Sequence, residues 1–413
     1  MEPLRQIYRV GGSVRDLLLG LPAPDRDWVV VGETPQSMLA RGFSQVGADF
    51  PVFLHPESKE AYALARQERK TGPGYLGFTA QFAPTVTLEA DLARRDLTIN
   101  AMAMDQEGQI IDPFGGRVDL QNRLLRHVSP AFSEDPLRVL RVARFLARFW
   151  DLGFRVADET LTLLTRLAHS GELQTLSVER VWQETYKALT AHNPLAFFDL
   201  LQQCGALSVL FPELAALIGV PQPVQYHPEG DVWQHTRLVL ARATELSDSP
   251  TVRFAALLHD LGKAATPPHE WPHHYGHEER SAELIHRLCD RLRIPNAFRN
   301  LALATACHHM RCHRLLEMTP NKVVRLLLQL KAFQKPDFFE EVLLACQADG
   351  TGRLGESLPA SYPQADLLRQ CRDCCVEIDP TPWIEAGIRG ARLGERLHQE
   401  RVHRVRTLLQ AIP

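Results

Sequence analysis

The order of apolar and polar positions divides the chain into two parts of different character. Over residues 1–130, short β-like runs alternate with helical ones. "IYRVGG", "DWVVVG", "PVFLH" and "AYALAR" are each predicted strands. "SVRDLLLGL" follows the first and is a predicted helix with Ser13 at its N-cap. From about residue 133 onward, apolar residues recur at three- and four-residue spacing. "LRVLRVARFLARF" (137–149) and "VRFAALLHDLG" (252–262) are examples, so the remainder is predicted to be nearly all helical. "SEDP" at 133–136 predicts a helix start, with Ser133 as cap, Glu134 and Asp135 as first-turn acids, and an early Pro136. Two stretches read as connections. "RQERKTGPGYLGFTAQFAPTV" (66–86) is polar and glycine-containing, the pattern of a mobile surface loop. "GVPQPVQYHPEGD" (219–231) is rich in Pro and Gly, the pattern of a linker.

Composition narrows the class. A chain of 413 residues suits two to four domains at roughly 150 residues each. Hydrophobic residues at 45% and charged residues at 23% are the balance of a soluble globular protein. No apolar run approaches the ~18 residues of a membrane span. Glu2, Arg5 and Arg9 precede any apolar stretch, which is not a secretory signal, so a cytoplasmic address is expected. None of the eight cysteines falls in the first 203 residues. Cys371, Cys374 and Cys375 resemble half of a zinc knuckle, but no second CxxC completes it, so they are read as reduced non-ligands. A net charge of −3 excludes a generally basic nucleic-acid coat. Local charge is more telling: Arg123, Arg126, Arg138, Arg141, Arg144 and Arg148 cluster, and residues 384–413 hold six Arg against three Glu. Both stretches are candidates for phosphate contacts. Eleven of 17 histidines lie between His227 and His313, which marks a distinct unit.

Two constellations carry chemistry. In "YRVGGSVRDLLLG" (8–20) a strand ends in Gly11-Gly12 and a helix begins. Adjacent glycines let a phosphate approach the backbone, and Arg15 sits on the first turn. Asp25 and Asp27 follow in "LPAPDRDWVVVG", one residue apart ahead of a β-branched run, so on a strand both carboxylates face one side. Like charges that close repel. A shared divalent cation removes the repulsion and suits two-metal phosphoryl transfer. The second constellation is "FAALLHDLGKAATP", with His259-Asp260 at the end of an apolar helix and then Lys263. His and Asp buried side by side are costly unless paired or metallated. His235 in "WQHTRLVL" and Asp349 in "CQADGTG" lie on earlier and later predicted helices. His277, His308 and His309 are further candidates to line this site.

The first constellation resembles the nucleotidyltransferase core of the polymerase-β superfamily. "DLARRDLTINAMA" (91–103), "DPFGGRVDL" (112–120) and "SEDPLRVLRVARF" (133–145) narrow the resemblance to class II tRNA nucleotidyltransferases, the CCA-adding enzymes, in the bacterial form that carries an extra phosphohydrolase domain. The resemblance runs over most of the chain. It implies that Gly12, Arg15, Arg95, Arg141 and Arg144 contact the nucleoside triphosphate. It implies that Asp25 and Asp27 are catalytic and bind Mg²⁺. Glu60 and Asp112 are both candidates for a third carboxylate. It implies that Asp135 and Arg138, three apart on one helix face, read the incoming base. A carboxylate accepts from the cytosine N4 or adenine N6 amine. A guanidinium donates to cytosine O2 and N3 or to adenine N1, whereas uracil and guanine present a carbonyl to the carboxylate. It also implies that the 66–86 loop helps switch from C to A addition.

The H…HD…D order resembles the HD phosphohydrolase superfamily. That resemblance makes His235, His259, Asp260 and Asp349 ligands of a divalent transition metal such as Ni²⁺, with Lys263 on a substrate phosphate. Phosphatase, 2′-nucleotidase and 2′,3′-cyclic phosphodiesterase activity are the implied reactions. The expected architecture is α+β. A small mixed α/β head of polymerase-β-like type (1–130) precedes an all-α neck and body (131–225), an all-α HD domain (226–335, its last ligand near 349) and a helical C-terminal region (336–413). Expected partners are tRNA, CTP and ATP, with no membrane, for a monomer or a homodimer. A poly(A) polymerase of the same superfamily and a non-catalytic tRNA-binding protein are the competing readings.

Overall fold

The computed structural model describes residues 4, 6–23, 26–47, 52–70, 78–353 and 361–411. It forms two compact units, Met1–Leu210 and Phe211–Pro413. Nine short strands lie in the first 111 residues: β1 Ile7–Val10, β2 Asp27–Val30, β3 Ser44–Val46, β4 Val52–Leu54, β5 Ala61–Leu64, β6 Gln67–Lys70, β7 Phe78–Gln81, β8 Ala103–Met104 and β9 Ile110–Ile111. Seven of them make one mixed sheet in the order β3-β4-β5-β2-β1-β8-β9. Only β2 and β5 pair in parallel, with Asp27 opposite Ala61 and Val30 opposite Leu64. The four strands expected from the sequence are present. β3, β8 and β9 are too short to show a period.

The uninterrupted apolar run of β2 has a structural reason. Val29 packs with Val10, Leu92, Ala101 and Ala103, while Val30 packs on the other face with Met38, Phe53, Tyr62 and Leu64. At Val29 and Val30 the strand is buried on both sides, so neither residue is polar. Helix Leu88–Ala93 contributes Leu92 to one side and helix Pro35–Ala40 contributes Met38 to the other. Asp27 shares the Val29 face, two residues back along the strand.

Three local expectations are corrected. Ser13 does not cap the first helix, Gly12–Leu18; its hydroxyl donates to the Val10 carbonyl, and Gly11 holds the cap position at φ 69°. The 133–145 helix starts later than expected. Pro130–Glu134 is a 3₁₀ turn, and the α-helix is Leu137–Phe149. Asp135 accepts from the Leu137 N–H at 3.0 Å, whereas the Ser133 hydroxyl turns back to the Pro130 carbonyl. The 66–86 segment is not simply a loop, because β6 and β7 pair antiparallel from Gln67↔Gln81 to Lys70↔Phe78. Backbone pairing of this kind does not require apolar side chains, so composition hid it. Residues 71–77 of that segment lie outside the described residues.

Helix Leu137–Phe149 packs on helices Val178–Leu189 and Pro194–Gln203. Ser177 and Asn193 cap those two helices by accepting from Arg180 and Ala196 N–H groups. In the second unit, helices Val232–Leu246, Pro250–Leu258, His277–Arg291, Asn296–His313 and Pro336–Thr351 form one bundle. Pro336–Thr351, which carries Asp349, packs with the histidine-rich helices. Pro320–Gln329, Pro363–Val376 and Ala391–Gln410 pack together beside it. Among the described residues, no helix is long and apolar enough to cross a membrane.

Gly116 opens helix Gly116–Gln121 where it meets the backbone of the "TIN" turn. A Cβ there would lie 2.4 Å from the Thr98 carbonyl oxygen and 2.9 Å from the Met102 side chain. Backbone cannot yield as a flexible side chain can. Gly116→Ala is expected to destabilise the chain by about 1–3 kcal/mol, read as a lowered thermal midpoint. An unchanged midpoint would mean the helix shifts freely.

Candidate active sites

A cavity of about 720 Å³ lies in the first unit. Nine arginines line it (Arg15, Arg66, Arg94, Arg95, Arg138, Arg141, Arg144, Arg148 and Arg180) against three aspartates, Asp27, Asp96 and Asp135. Helix Leu137–Phe149 supplies four of the arginines along one face, while Val139, Leu140, Val142 and Ala143 are buried on the other. The basic stretch 123–148, read from sequence as a candidate for phosphate contacts, thus turns much of its charge into the cavity. So much positive charge in one cleft demands organisation, because the guanidiniums repel one another.

Buried carboxylates provide it. Asp96 accepts from Arg141 Nε at 2.7 Å with one oxygen, and from Asn100 and the Leu97 N–H at 2.9 and 2.8 Å with the other. Burial alone would raise the Asp96 carboxyl, but Arg141 and these hydrogen bonds hold it far below the usual carboxylate range. Asn100 in turn accepts from Arg15. The Arg15 guanidinium also donates to Asp16 at 2.8 Å and lies over the rings of Phe145 and Phe149 at 5.2 and 5.0 Å. Arg148 closes the same group through Asp16 at 3.0 Å. Asp91, fully buried, takes Arg94 at 2.8 Å and Arg95 at 3.3 Å. Arg144 is held by Glu184 and stacks on Phe145 at 4.2 Å. An arginine has five donors, so one so held retains others for a ligand.

Gly12, Arg15, Arg95, Arg141, Arg144, Asp135, Arg138 and Asp27 are thus brought together around one cavity. Asp25 lies outside the described residues. Gly11 has a second role beyond its left-handed backbone: a Cβ there would meet Arg95 Nη1 at 2.6 Å, so this glycine makes room for that guanidinium. Asp135 and Arg138 are joined through the backbone, the Arg138 N–H donating to the Asp135 carbonyl at 3.0 Å, while their side chains take other partners. Asp135 pairs with Arg180 at 3.0 Å, and Arg138 donates to the Ala131 and Arg94 carbonyls at 2.7 and 2.6 Å. Neither Glu60 nor Asp112 lines the cavity. Both Asp112 oxygens accept from backbone N–H groups at the start of helix Gly116–Gln121, and Glu60 lies 3.8 Å from Arg26. The sequence reading passed over Asp91, Asp96, Asn100 and Glu184. Asp96 and Asn100 stood inside a quoted motif, but nothing local said that they hold arginines 45 and 85 residues away in the chain.

In the second unit His235, His259, Asp260 and Asp349 meet, each nearly or fully buried. His235 Nε2 is 3.1 Å from Asp349 and 3.8 Å from Asp260, and His259 Nε2 is 3.2 Å from Asp260 and 3.7 Å from Asp349. Lys263 is 2.6 Å from Asp260 and donates to Gln222 at 2.7 Å. Burial would raise both carboxyls. Lys263 and His259 hold Asp260 well below its ordinary value, and His313 and His259 do the same for Asp349. Conversely, burial would lower His259, but the two carboxylates raise it. The pocket thus attracts a cation.

The 219–231 stretch is not a linker. Asp231 caps helix Val232–Leu246, Pro221 pairs with Asp231, and the fold-back buries Glu229 beneath His235 Nδ1 at 2.9 Å. Glu229 also takes His227 at 3.0 Å, and burial pushes that imidazole down to about 4. His313, unremarked in the sequence, holds the second Asp349 oxygen at 2.6 Å and bonds Tyr362. His277 and His309 lie in the cluster, 3.4 Å apart. His308 does not: it bonds the Cys307 carbonyl and Arg311. The donor set of imidazoles and carboxylates, with the buried His259 Nε2 lacking a hydrogen-bond partner, fits a divalent metal. Cys371 and Cys375 offer no such chemistry, since burial pushes both thiols up to about 12.

An arginine-lined head on a helical body and a histidine–aspartate bundle define a nucleotidyltransferase-type chain with an added HD unit. Residues 7–126 match the Poly A polymerase head domain family, 153–218 the probable RNA and SrmB-binding site of polymerase A, and 232–353 the HD domain family. The chain is 57% identical over 402 residues to the multifunctional CCA protein of Thioalkalivibrio sulfidiphilus, covering 97% of this chain and 98% of that one. It is 54% identical over 404 residues to that of Vibrio cholerae, covering 98% and 100%. Among solved structures it is similar to the Bacillus stearothermophilus CCA-adding enzyme in complex with CTP (TM-score 0.63, 25% identity, 98% of this chain and 89% of that one). The Thermotoga maritima CCA-adding enzyme complexed with tRNA shares the fold (TM-score 0.62, 21% identity, 98% and 91%). The chain belongs to the multifunctional CCA protein family.

Asp96 is the point on which the first cavity depends. Asp96→Asn leaves Arg141 without its counter-charge and is expected to cost on the order of 3 kcal/mol of stability. An unchanged thermal midpoint would show that Arg141 is held by other means.

Proposed function

We propose that the first unit adds and repairs the 3′-terminal CCA of tRNA, using CTP and ATP without a nucleic-acid template and releasing pyrophosphate. The carrying observation is the cavity in which nine arginines surround Asp27 and Gly12. Its net positive charge suits a triphosphate, and arginine forks match phosphate oxygens. Gly12, Arg15, Arg95, Arg141 and Arg144 contact the nucleotide. Asp25 and Asp27 hold Mg²⁺, which when bound supplies charge neutralisation at the reacting phosphate and the leaving pyrophosphate. The rest of the acceleration is alignment of the tRNA 3′-hydroxyl with the α-phosphate by fixed arginines. Asp135 and Arg138 select the base. Arg180 and the Leu137 N–H fix the Asp135 carboxylate, and two backbone carbonyls fix the Arg138 guanidinium, so both are oriented before a base arrives. RNA is met by backbone and shape, with the exposed arginines of helix Ala391–Gln410 as one surface.

The HD unit in this reading hydrolyses phosphate esters, with phosphatase, 2′-nucleotidase and 2′,3′-cyclic phosphodiesterase activity. His235, His259, Asp260 and Asp349 hold a divalent transition metal such as Ni²⁺. That ion when bound supplies activated water. Glu229 orients His235, His313 orients Asp349, and Lys263 holds substrate phosphate. The protein works in the cytoplasm, where tRNA and nucleotides are found.

Incubation with CTP, ATP and tRNA lacking its 3′ end is expected to give three additions ending in A. A long A tract would favour a poly(A) polymerase, and no addition a non-catalytic binder. Asp25→Asn with Asp27→Asn should reduce incorporation by roughly 100-fold or more. Asp135→Ala and Arg138→Ala should erase the preference for CTP and ATP over UTP and GTP; a surviving preference would remove the pair from base selection. Metal-dependent hydrolysis of 2′,3′-cAMP is expected from the HD unit, and its absence would reject that half of the reading.

A further inference from the structure

Asp349 uses its two carboxylate oxygens differently. Oδ1 faces the buried cluster, 3.1 Å from His235 Nε2 and 3.7 Å from His259 Nε2, with Arg353 Nη2 at 3.6 Å. Oδ2 is taken by His313 Nε2 at 2.6 Å. The His313 ring is held on its other side as well, with Nδ1 2.8 Å from the Tyr362 hydroxyl. The proton positions follow from the chemistry of the partners. An ionised carboxylate only accepts, so in the neutral imidazole Nε2 carries the proton, and Nδ1 then accepts from the phenol. Tyr362 and His313 thus form a chain of donors that ends on Asp349 Oδ2 and leaves Oδ1 to the cluster.

The surroundings of Tyr362 fit it for this contact. It stands just before helix Pro363–Val376, but its side chain does not cap that helix. It is 6% exposed, and its ring meets the His313 ring edge-on, with centroids 5.5 Å apart and planes at 83°. Room for the ring comes from Gly350, the residue after Asp349 on helix Pro336–Thr351. A Cβ on Gly350 would lie 2.8 Å from two ring carbons of Tyr362. Glycine within a helix costs about 1 kcal/mol relative to alanine. Gly350 is not among the glycines with a positive φ, so its backbone does not call for one. The space it leaves is the space that the tyrosine ring fills.

We propose that Tyr362 is a positioning residue of the HD pocket, acting through His313 to fix the Asp349 carboxylate so that Oδ1 is presented to the cluster of His235 and His259. The proposal rests on the reading of that pocket as a metal site. Partners that stand behind a metal ligand set its orientation, and their loss typically costs roughly 10–100-fold in metal affinity.

The test measures the Co²⁺ affinity of the full chain by competition with a chelating dye, together with the visible absorption of the bound ion. The part of the binding that is lost on His235→Ala belongs to this pocket. Tyr362→Phe keeps the ring and removes the hydroxyl. It is expected to weaken that binding roughly tenfold and to shift the Co²⁺ absorption, changes that lost packing alone does not produce in a folded chain. His313→Gln should weaken binding by a similar factor. Adding Tyr362→Phe to it should cost nothing more, because the hydroxyl acts through that ring. Gly350→Ala, which crowds the tyrosine ring, should weaken binding in the same direction. A Tyr362→Phe chain with unchanged affinity, whatever its thermal midpoint, would overturn the proposal. So would an effect that adds in full to that of His313→Gln. A parent chain without Co²⁺ binding sensitive to His235→Ala would overturn the metal reading of the pocket, and this role with it.

Discussion

Both units rest on one constraint: charge taken out of water must meet its opposite. In the first unit the surplus is positive. Nine arginines around one cavity would push one another apart were they not tied to carboxylates beneath them. Asp96, Asp91, Asp16 and Glu184 are buried or nearly so, and each holds at least one guanidinium. The stacked rings of Phe145 and Phe149 fill the gaps between the cations. Removing one carboxylate therefore disturbs several arginines, since Asp96 reaches Arg15 through Asn100 as well as Arg141 directly. In the second unit the surplus is acceptor atoms. Carboxylates and imidazole lone pairs converge there, a donor set that suits a cation.

This difference explains why the two sites were unequally visible in the sequence. The H…HD…D order resembles the HD superfamily, so that resemblance names these four residues together, and the fold brings them into one buried cluster. The shell behind them could not be named. Glu229 lies in a Pro- and Gly-rich stretch that looks like a spacer, and only the fold-back onto Asp231 buries it against His235. His308 and His309 are adjacent and alike in sequence, but consecutive helix positions point about a quarter-turn apart, so only His309 enters the cluster.

In the first unit the strands of β2 and its neighbours were legible from β-branched runs, and the helices from apolar spacing. Boundaries were less so. Ser13 and Ser133 have the chemistry of caps, but the backbone puts Gly11 and Asp135 at the positions that matter. The hairpin of β6 and β7 joins a polar strand to a mixed one by backbone pairing, which no apolar alternation announces. The arginine stripe of helix Leu137–Phe149 was legible as a site for phosphate contacts, but not its direction. Which way a charged face turns depends on carboxylates elsewhere in the chain, and no local pattern reports that.

The bond between Arg148 and Asp16 joins residues 132 apart in the chain, and Glu184 holds Arg144 from 40 residues farther on. The cavity is therefore not a property of the first 130 residues, although the sheet is complete by then. As the chain leaves the ribosome, the sheet and its first helix emerge with Asp16 holding Arg15 but not yet Arg148, and with Asp96 still without Arg141. The site comes into being only when the helical body has been made and has docked. Formation of the arginine-lined cavity and formation of the body are thus one event in the life of the molecule, and a chain stopped short of it carries a head without that cavity.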